Sequence, residues 1–88
     1  MNITIRQLVR FEGSGNLKAF CDVVFGGVLL VKGFRVVHGK NGMFVGMPRE
    51  AGKDGKWYDA ITTLTDAFKQ ELEKTVLEEY AKSEPATP

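Results

Sequence analysis

The segment GFRVVHGKNGMFVGMP, residues 33–48, contains two apolar runs joined by a turn. Asn41-Gly42 favours a tight hairpin, because both residues accept a positive φ at little steric cost. Pro48 ends the second run, since it cannot donate a hydrogen bond to a neighbouring strand. Apolar side chains occur on both faces of these runs. The pattern therefore predicts that the hairpin lies in the middle of a sheet that is covered on both sides.

Two alternating segments precede the hairpin and predict two further strands. The first places Ile3, Ile5, Val9 and Phe11 on one face and Thr4, Arg6, Leu8 and Arg10 on the outer face. The second runs from Leu17 to Phe25, and Gly26-Gly27 then provides another turn. Gly33 predicts a bulge or bend in the strand that follows. The four strands together predict an antiparallel meander.

The chain after Pro48 predicts a loop and then a helix. Residues 49–56 are polar and turn-rich, and Trp57 begins an aromatic segment that predicts a short return strand or a flap on the sheet. Thr63 is a candidate N-cap. Apolar residues then recur at helical spacing, at Phe68, Leu72, Val76, Leu77 and Tyr80 with Leu64 upstream, while Lys69, Glu71, Glu73, Lys74, Glu78 and Glu79 form the polar face. We expect the helix to end near Lys82.

These elements predict an α+β fold, with a small antiparallel meander sheet of four to five strands and one C-terminal amphipathic helix. We expect one domain at residues 1–82 and a disordered tail at 83–88. One helix cannot cover both faces of the sheet, and Leu8, Phe20 and Val24 would remain open on the uncovered face. An apolar patch on so small a chain indicates an interface, so we expect a homodimer.

Composition restricts the location and the chemistry. No run approaches the ~20 apolar residues that cross a bilayer, and residues 1–6 lack the pattern of a signal peptide. A lone cysteine, Cys21, fits a reducing compartment, so we expect a cytoplasmic protein without membrane contact.

His38 is the sole histidine, and Cys21 lies on an apolar strand face. Cys21 and His38 could pair as nucleophile and base, but an inert core thiol is favoured, and we expect no enzyme, cofactor, metal or small-molecule substrate.

The charge is unevenly distributed along the chain. Residues 1–58 carry nine Lys/Arg and four Asp/Glu, whereas residues 59–88 carry three and seven. Basic side chains contact phosphates, and nearby aromatic rings such as Trp57 and Tyr58 stack on exposed bases. The candidate nucleic-acid-binding residues are Arg6, Arg10, Lys32, Arg35, Lys40, Arg49, Lys53, Lys56, Lys69 and Lys74. The alternative is a protein–protein interaction adaptor that uses its apolar sheet face or acidic helix without binding nucleic acid directly.

The central segment resembles the SpoVG family, the stage V sporulation protein G or septation regulators. Family members carry a pattern close to FRVVHGKNGMFVGMP, residues 34–48, and the likeness continues in order through Ile3–Arg10, Leu17–Phe20, Asp54-Gly55, Asp59 and Thr75–Tyr80. The resemblance implies a homodimeric bacterial cytoplasmic regulator that binds DNA and, in some members, RNA. It also implies a role in sporulation, septation or virulence-related expression, with DNA sequence preference linked to the region that starts near Asp66.

Overall fold

A computed structural model describes residues 1–83 and contains six strands and one helix. The strands are β1 (Ile3–Arg10), β2 (Leu17–Phe25), β3 (Leu29–Gly39), β4 (Gly42–Gly46), β5 (Arg49–Ala51) and β6 (Trp57–Asp59), and the helix is α1 (Asp66–Lys82). The predicted α+β fold is confirmed. The tail expected at 83–88 lies, apart from Ser83, outside the described residues. Within the described residues, no helix combines the length and apolar character needed to cross a membrane.

The first four strands form the predicted antiparallel meander in the order β1-β2-β3-β4. The prediction that the whole hairpin lies in the middle of the sheet is wrong, because β4 is an edge strand. The return strand at Trp57 does exist, but it pairs with β5 in a separate two-stranded sheet. A 2.8 Å hydrogen bond from the Ala60 amide to the Pro48 carbonyl closes the base of the β5–β6 hairpin, two residues after the end of β4.

A β-bulge in β1 corrects the predicted faces of that strand. The pairing with β2 shifts between Ile5 and Gln7, so Arg6 is the extra residue. Beyond a bulge, the alternation of side chains changes phase. Leu8 and Arg10 therefore lie on the core face with Ile5, whereas Val9 is exposed. The predictions that Arg6 and Arg10 share the outer face, and that Leu8 belongs to the open apolar patch, are both wrong.

A second irregularity lies in β3, where the structure confirms the bulge predicted at Gly33. The register with β2 shifts between the pairs Cys21–Phe34 and Val23–Val31. Gly33 has a φ of 95°, which a residue with a Cβ adopts only with strain. Because of the shift, Val31 and Phe34 both pack toward the core. Lys32 stays exposed in the bulge.

The N-cap of the helix lies two residues later than the predicted cap at Thr63. The Thr65 hydroxyl accepts a hydrogen bond from the Phe68 amide, 3.1 Å long, and Thr65 is the N-cap. Leu64 precedes the helix and is 94% exposed, so its predicted place on the apolar helix face is wrong. The helix ends at Lys82 as predicted.

The core lies between α1 and the inner face of the four-stranded sheet. Its fully buried members are Ala19, Cys21, Val23, Phe34, Val36, Val45, Leu72 and Val76. Glu73, predicted on the solvent-facing side of the helix, is half-buried, and its Oε2 accepts a 3.3 Å hydrogen bond from the Val45 amide. The helix thereby satisfies a backbone donor on the edge strand β4 that would otherwise be open to pairing.

Candidate functional site

Arg35 lies in a row of side chains that crosses the outer face of the sheet. The strand registers pair Val9 with Phe20, Phe20 with Arg35, and Arg35 with Gly46. Residues that are directly opposite on neighbouring strands share a face. Arg35 therefore lies between the exposed ring of Phe20 and Gly46, which has no side chain.

Gly46 makes room for the Arg35 guanidinium. A Cβ built at position 46 would lie 2.6 Å from the Arg35 Cζ, closer than any real contact allows. Arg35 Nη2 donates to the Met47 carbonyl at 3.3 Å, whereas its buried Nε has no hydrogen-bond partner among the described residues. The guanidinium is thus held flat against the β4 backbone with donor capacity unused.

A cleft of about 460 Å³ opens beside Arg35, and we call it the Trp57 cleft. It is lined by Phe20, Lys32, Gly33, Arg35, Pro48, Arg49 and Trp57. The Trp57 side chain is 65% exposed and Phe20 is 40% exposed. Three cationic side chains and two aromatic rings therefore meet at one concave surface. No carboxylate is among its described lining residues, and Arg49 is paired with Asp59, which lies outside that lining.

A larger cleft of about 650 Å³ shares Arg35 and Arg49 with the Trp57 cleft, and we call it the Lys69 cleft. Its charged lining residues are the cations Arg35, Arg49 and Lys69 and the acids Asp59, Asp66 and Glu73. Arg49 Nε forms an ion pair with Asp59 Oδ1 at 3.2 Å. Because the acids match the cations in number, this cleft attracts an anion less than the Trp57 cleft does.

The other predicted basic residues lie outside the lining of both clefts. Lys40 is exposed in the β3–β4 turn, and Arg6 is exposed at the β1 bulge. Lys53 and Lys56 are exposed in the β5–β6 connection, and Lys74 is exposed on α1. The structure therefore brings Lys32, Arg35 and Arg49 together at the Trp57 cleft and adds Lys69 at the neighbouring cleft.

Arg10 has a different environment from the other predicted binding residues. Its Nη1 donates to the Tyr80 carbonyl at 2.6 Å and to the Ser83 hydroxyl at 3.3 Å. Its Cζ lies 3.8 Å from the centroid of the Tyr80 ring. The guanidinium occupies the C-terminal end of α1, where a cation is favoured by the helix dipole.

The candidate thiol lies in the core, and its surroundings disfavour the thiolate. Cys21 is fully buried, and burial, followed by the charges of Asp22 and Glu79, raises its pKa to about 12. The thiolate, which is the nucleophilic form, is scarce at neutral pH under these conditions. Within residues 1–83, no three His, Cys, Asp or Glu side chains are grouped closely enough to hold a metal ion.

Sequence patterns do not predict the roles of Phe20 and Gly46. They predict Phe20 only as part of an open apolar patch, whereas the structure places its ring in the lining of the Trp57 cleft. Gly46 lines the Lys69 cleft and makes room for the Arg35 guanidinium through the pairing of β3 with β4. The sequence does carry one signal, because a glycine in a strand interior indicates the close approach of another group.

Comparison with known proteins assigns the chain to a family. The SpoVG family model matches residues 1–82. Relatives named "Putative septation protein SpoVG" occur in Symbiobacterium thermophilum, with 43% identity over 90% of this chain, and in Clostridium perfringens, with 30% identity over 93%. A relative of the same name in Archaeoglobus fulgidus is 32% identical over 93% of this chain.

The relatives differ in how much of their own length is matched. The chain spans 54% of the Symbiobacterium thermophilum protein, whereas it spans 91% of the Clostridium perfringens protein and 96% of the Archaeoglobus fulgidus protein. The match to the family model covers the whole meander and the helix α1. The chain therefore belongs to the SpoVG family.

Proposed function

We propose that this protein is a non-enzymatic, cytoplasmic regulator that binds nucleic acid, DNA or RNA, and acts as a homodimer. The observation that supports this function is the convergence of Lys32, Arg35 and Arg49 at the Trp57 cleft beside two exposed aromatic rings. Cations neutralise phosphates and release counterions, which supplies most of the affinity of sequence-independent binding. An exposed aromatic ring adds stacking on a base.

Family membership supports a role in septation or sporulation control. The matched relatives carry the name of a septation protein, and the match to the family model extends over residues 1–82. A small domain that binds nucleic acid influences such a process by occupying an operator or a transcript. We therefore assign this chain to regulation rather than to chemistry on a small-molecule substrate.

The outer face of the sheet supports the homodimer. Val9, Phe11 and Leu30 are exposed there, and Phe11 packs edge-on against Phe20 with ring centroids 5.2 Å apart. α1 covers the opposite face, so these apolar side chains have no cover from the described residues. A second copy of the chain would bury Val9, Phe11 and Leu30 and would leave the side of Phe20 that faces Arg35 open to the Trp57 cleft. Light scattering at micromolar concentration should give the mass of two chains, and the mass of one chain would contradict the dimer.

Binding is tested by fluorescence anisotropy with end-labelled DNA and RNA of mixed sequence at low and physiological salt. We expect binding at low salt that weakens steeply as salt rises. The double variant Lys32→Glu, Arg49→Glu should weaken binding to all sequences alike and reduce the salt slope by about two, because both residues line the Trp57 cleft. The matched control, Lys18→Glu with Lys82→Glu, changes the net charge equally at residues outside both clefts. Affinity that does not respond to salt would contradict the proposal.

The second candidate function is a protein-interaction adaptor, and one further cleft favours it. An apolar cleft of about 290 Å³ lies where the N-terminus meets the start of α1. It is lined by Met1, Phe25, Leu64 and Phe68 among others, and Met1 and Leu64 are strongly exposed. Exposed apolar surface of this kind marks protein contacts. The adaptor is the better reading if the anisotropy experiment gives no binding at low salt.

A further inference from the structure

We propose that the Trp57 cleft holds one nucleotide of a single strand, with the base stacked on Trp57 and the adjacent phosphate beside Lys32 and Arg35. This inference rests on the proposed nucleic-acid binding and names the form of the ligand. The cleft would recognise one unpaired base and one phosphate together. Single-stranded DNA and single-stranded RNA share that chemistry.

The aromatic side chains support the base position. Trp57 is 65% exposed in β6, although tryptophan is a large apolar residue that usually lies against other side chains. Phe20 offers a second exposed ring across the cleft, and Gly33 and Pro48 complete that wall without a charge. Ring faces with little cover stack on a nucleobase of any identity, because every base has a π-face.

The guanidinium of Arg35 supports the phosphate position. Arg35 lines the cleft, and the one side-chain hydrogen bond described for it runs from Nη2 to the Met47 carbonyl, so Nη1 remains available as a donor. Nε is buried and is not available to a ligand. Phosphate oxygens suit a guanidinium because they accept charge-assisted hydrogen bonds. Lys32 adds a second, exposed cation to the lining of the cleft.

The geometry favours a single strand over a duplex. The bases of a duplex are stacked on one another, so a protein ring reaches a base face only where the base is unpaired. The volume of about 460 Å³ falls within the roughly 300–1,000 Å³ of small-ligand clefts and suits one nucleotide unit. The Lys69 cleft is larger, but Asp59, Asp66 and Glu73 in its lining would repel a phosphate.

The chain contains its own reporter for this test, because Trp57 is the sole tryptophan. We would titrate the full chain with a thymidine 12-mer, a uridine 12-mer, a duplex of equal length and thymidine monophosphate, and follow tryptophan fluorescence. We expect saturable quenching by both single strands, with at least tenfold weaker responses to the duplex and the mononucleotide. Anisotropy of labelled strands measures total binding in parallel.

Matched variants separate stacking from general charge. Trp57→Ala should weaken single-strand binding about tenfold, and Trp57→Phe should recover most of that loss. Phe44→Ala removes an exposed aromatic on β4 that does not line this cleft, and it should change the affinity less than twofold. Lys32→Gln should weaken binding more than Lys82→Gln, although both remove one positive charge.

The possible outcomes distinguish the assignment of a nucleotide to the Trp57 cleft from nucleic-acid binding in general. Binding by anisotropy without fluorescence quenching, and with no effect of Trp57→Ala, would overturn the cleft assignment and leave nucleic-acid binding intact. Equal quenching by the duplex would overturn the single-strand preference, and equal quenching by thymidine monophosphate would show that the ligand is a free nucleotide. The absence of any binding at low salt would overturn both the inference and the proposed function.

Discussion

Arg10 on β1 is joined to Tyr80 on α1 in two ways at once. Its Nη1 lies 2.6 Å from the Tyr80 carbonyl oxygen, and its Cζ lies 3.8 Å from the centroid of the Tyr80 ring. These residues are seventy positions apart, so the contact links the first strand to the last turn of the helix. Arg10, which the sequence predicts as a nucleic-acid contact, therefore has a structural role in joining β1 to α1.

Arg10→Ala should lower the free energy of unfolding by about 1–3 kcal/mol, because it removes a charge-assisted hydrogen bond and a cation–π contact. Urea denaturation measures the change. Arg6→Ala is the matched control, since Arg6 is exposed on the same strand and should cost less than about 0.5 kcal/mol. Equal losses for the two variants would show that the contact at Tyr80 contributes nothing to stability.

Gly46→Ala should displace the Arg35 guanidinium without unfolding the chain. The new Cβ would lie 2.6 Å from Arg35 Cζ, but the side chain that must move is flexible. We expect the bond to the Met47 carbonyl to break. Single-strand affinity should fall roughly fivefold, because the displaced guanidinium would lose about one hydrogen bond to the phosphate. Anisotropy measures the affinity, and the shift of the Arg35 Nε resonance in an NMR spectrum reports the displacement.

Gly13→Ala provides the control for that substitution, because a Cβ at Gly13 meets nothing within 4 Å. It should leave both the affinity and the Arg35 resonance unchanged. A Gly46→Ala protein with wild-type affinity and an unmoved Arg35 resonance would contradict the close approach seen between residues 35 and 46.

Cys21 should make stability depend on alkaline pH. Burial raises its pKa from 9.0 to about 12, so between these values the unfolded chain loses a proton that the folded chain keeps. Ionisation then favours the unfolded state by roughly 1 kcal/mol per pH unit above pH 9. The stability difference between the wild type and Cys21→Ala should therefore be constant below pH 9 and should shrink above it.

Urea denaturation of both proteins between pH 7 and pH 10.5 measures that difference, and subtraction cancels the titration of lysines and tyrosines. A difference that stays constant across the range would show that Cys21 ionises as easily in the folded chain as in the unfolded one.

The contact between Tyr58 and Asp54 in the β5–β6 hairpin should make stability depend on pH in the acidic range. The Tyr58 hydroxyl donates to Asp54 Oδ2 at 2.5 Å, and this bond, followed by the Lys56 amide, lowers the pKa of Asp54. A lowered pKa gives stability that is present above the ordinary value of 3.8 and is lost as pH falls through the lowered pKa.

Tyr58→Phe should therefore raise the pKa of Asp54 toward its ordinary value, as measured by NMR titration of the carboxyl carbon. Trp57→Phe is the control, because Trp57 makes no hydrogen bond to Asp54 among the described contacts. An unchanged Asp54 pKa in Tyr58→Phe would mean that the Lys56 amide alone sets it.

The sequence predicted the parts of the fold that depend on neighbouring residues. Alternation identified β2, turn residues identified the β3–β4 hairpin, and helical spacing placed the end of α1 at Lys82. Gly33 predicted its bulge because its lack of a Cβ is a local signal. The bulge at Arg6 gave no such signal, since an exposed arginine continues the polar alternation on either side.

Less of the candidate site could be predicted from the sequence. Lys32, Arg35 and Arg49 were predicted as binding residues, and the structure brings these three to one cleft. Their proximity to Phe20 and Trp57 depends on strand register and on the separate pairing of β5 with β6. Such contacts join distant parts of the chain, and composition and periodicity contain no information about them.

The bulge at Arg6 has a consequence for how related sequences are aligned. Strict alternation from Ile5 would put Val9 on the core side, whereas this chain places Leu8 there. Against a chain that lacks the extra residue, an ungapped alignment of β1 would pair buried with exposed positions beyond Arg6. A gap of one position beside Arg6 would restore the match between the buried residues.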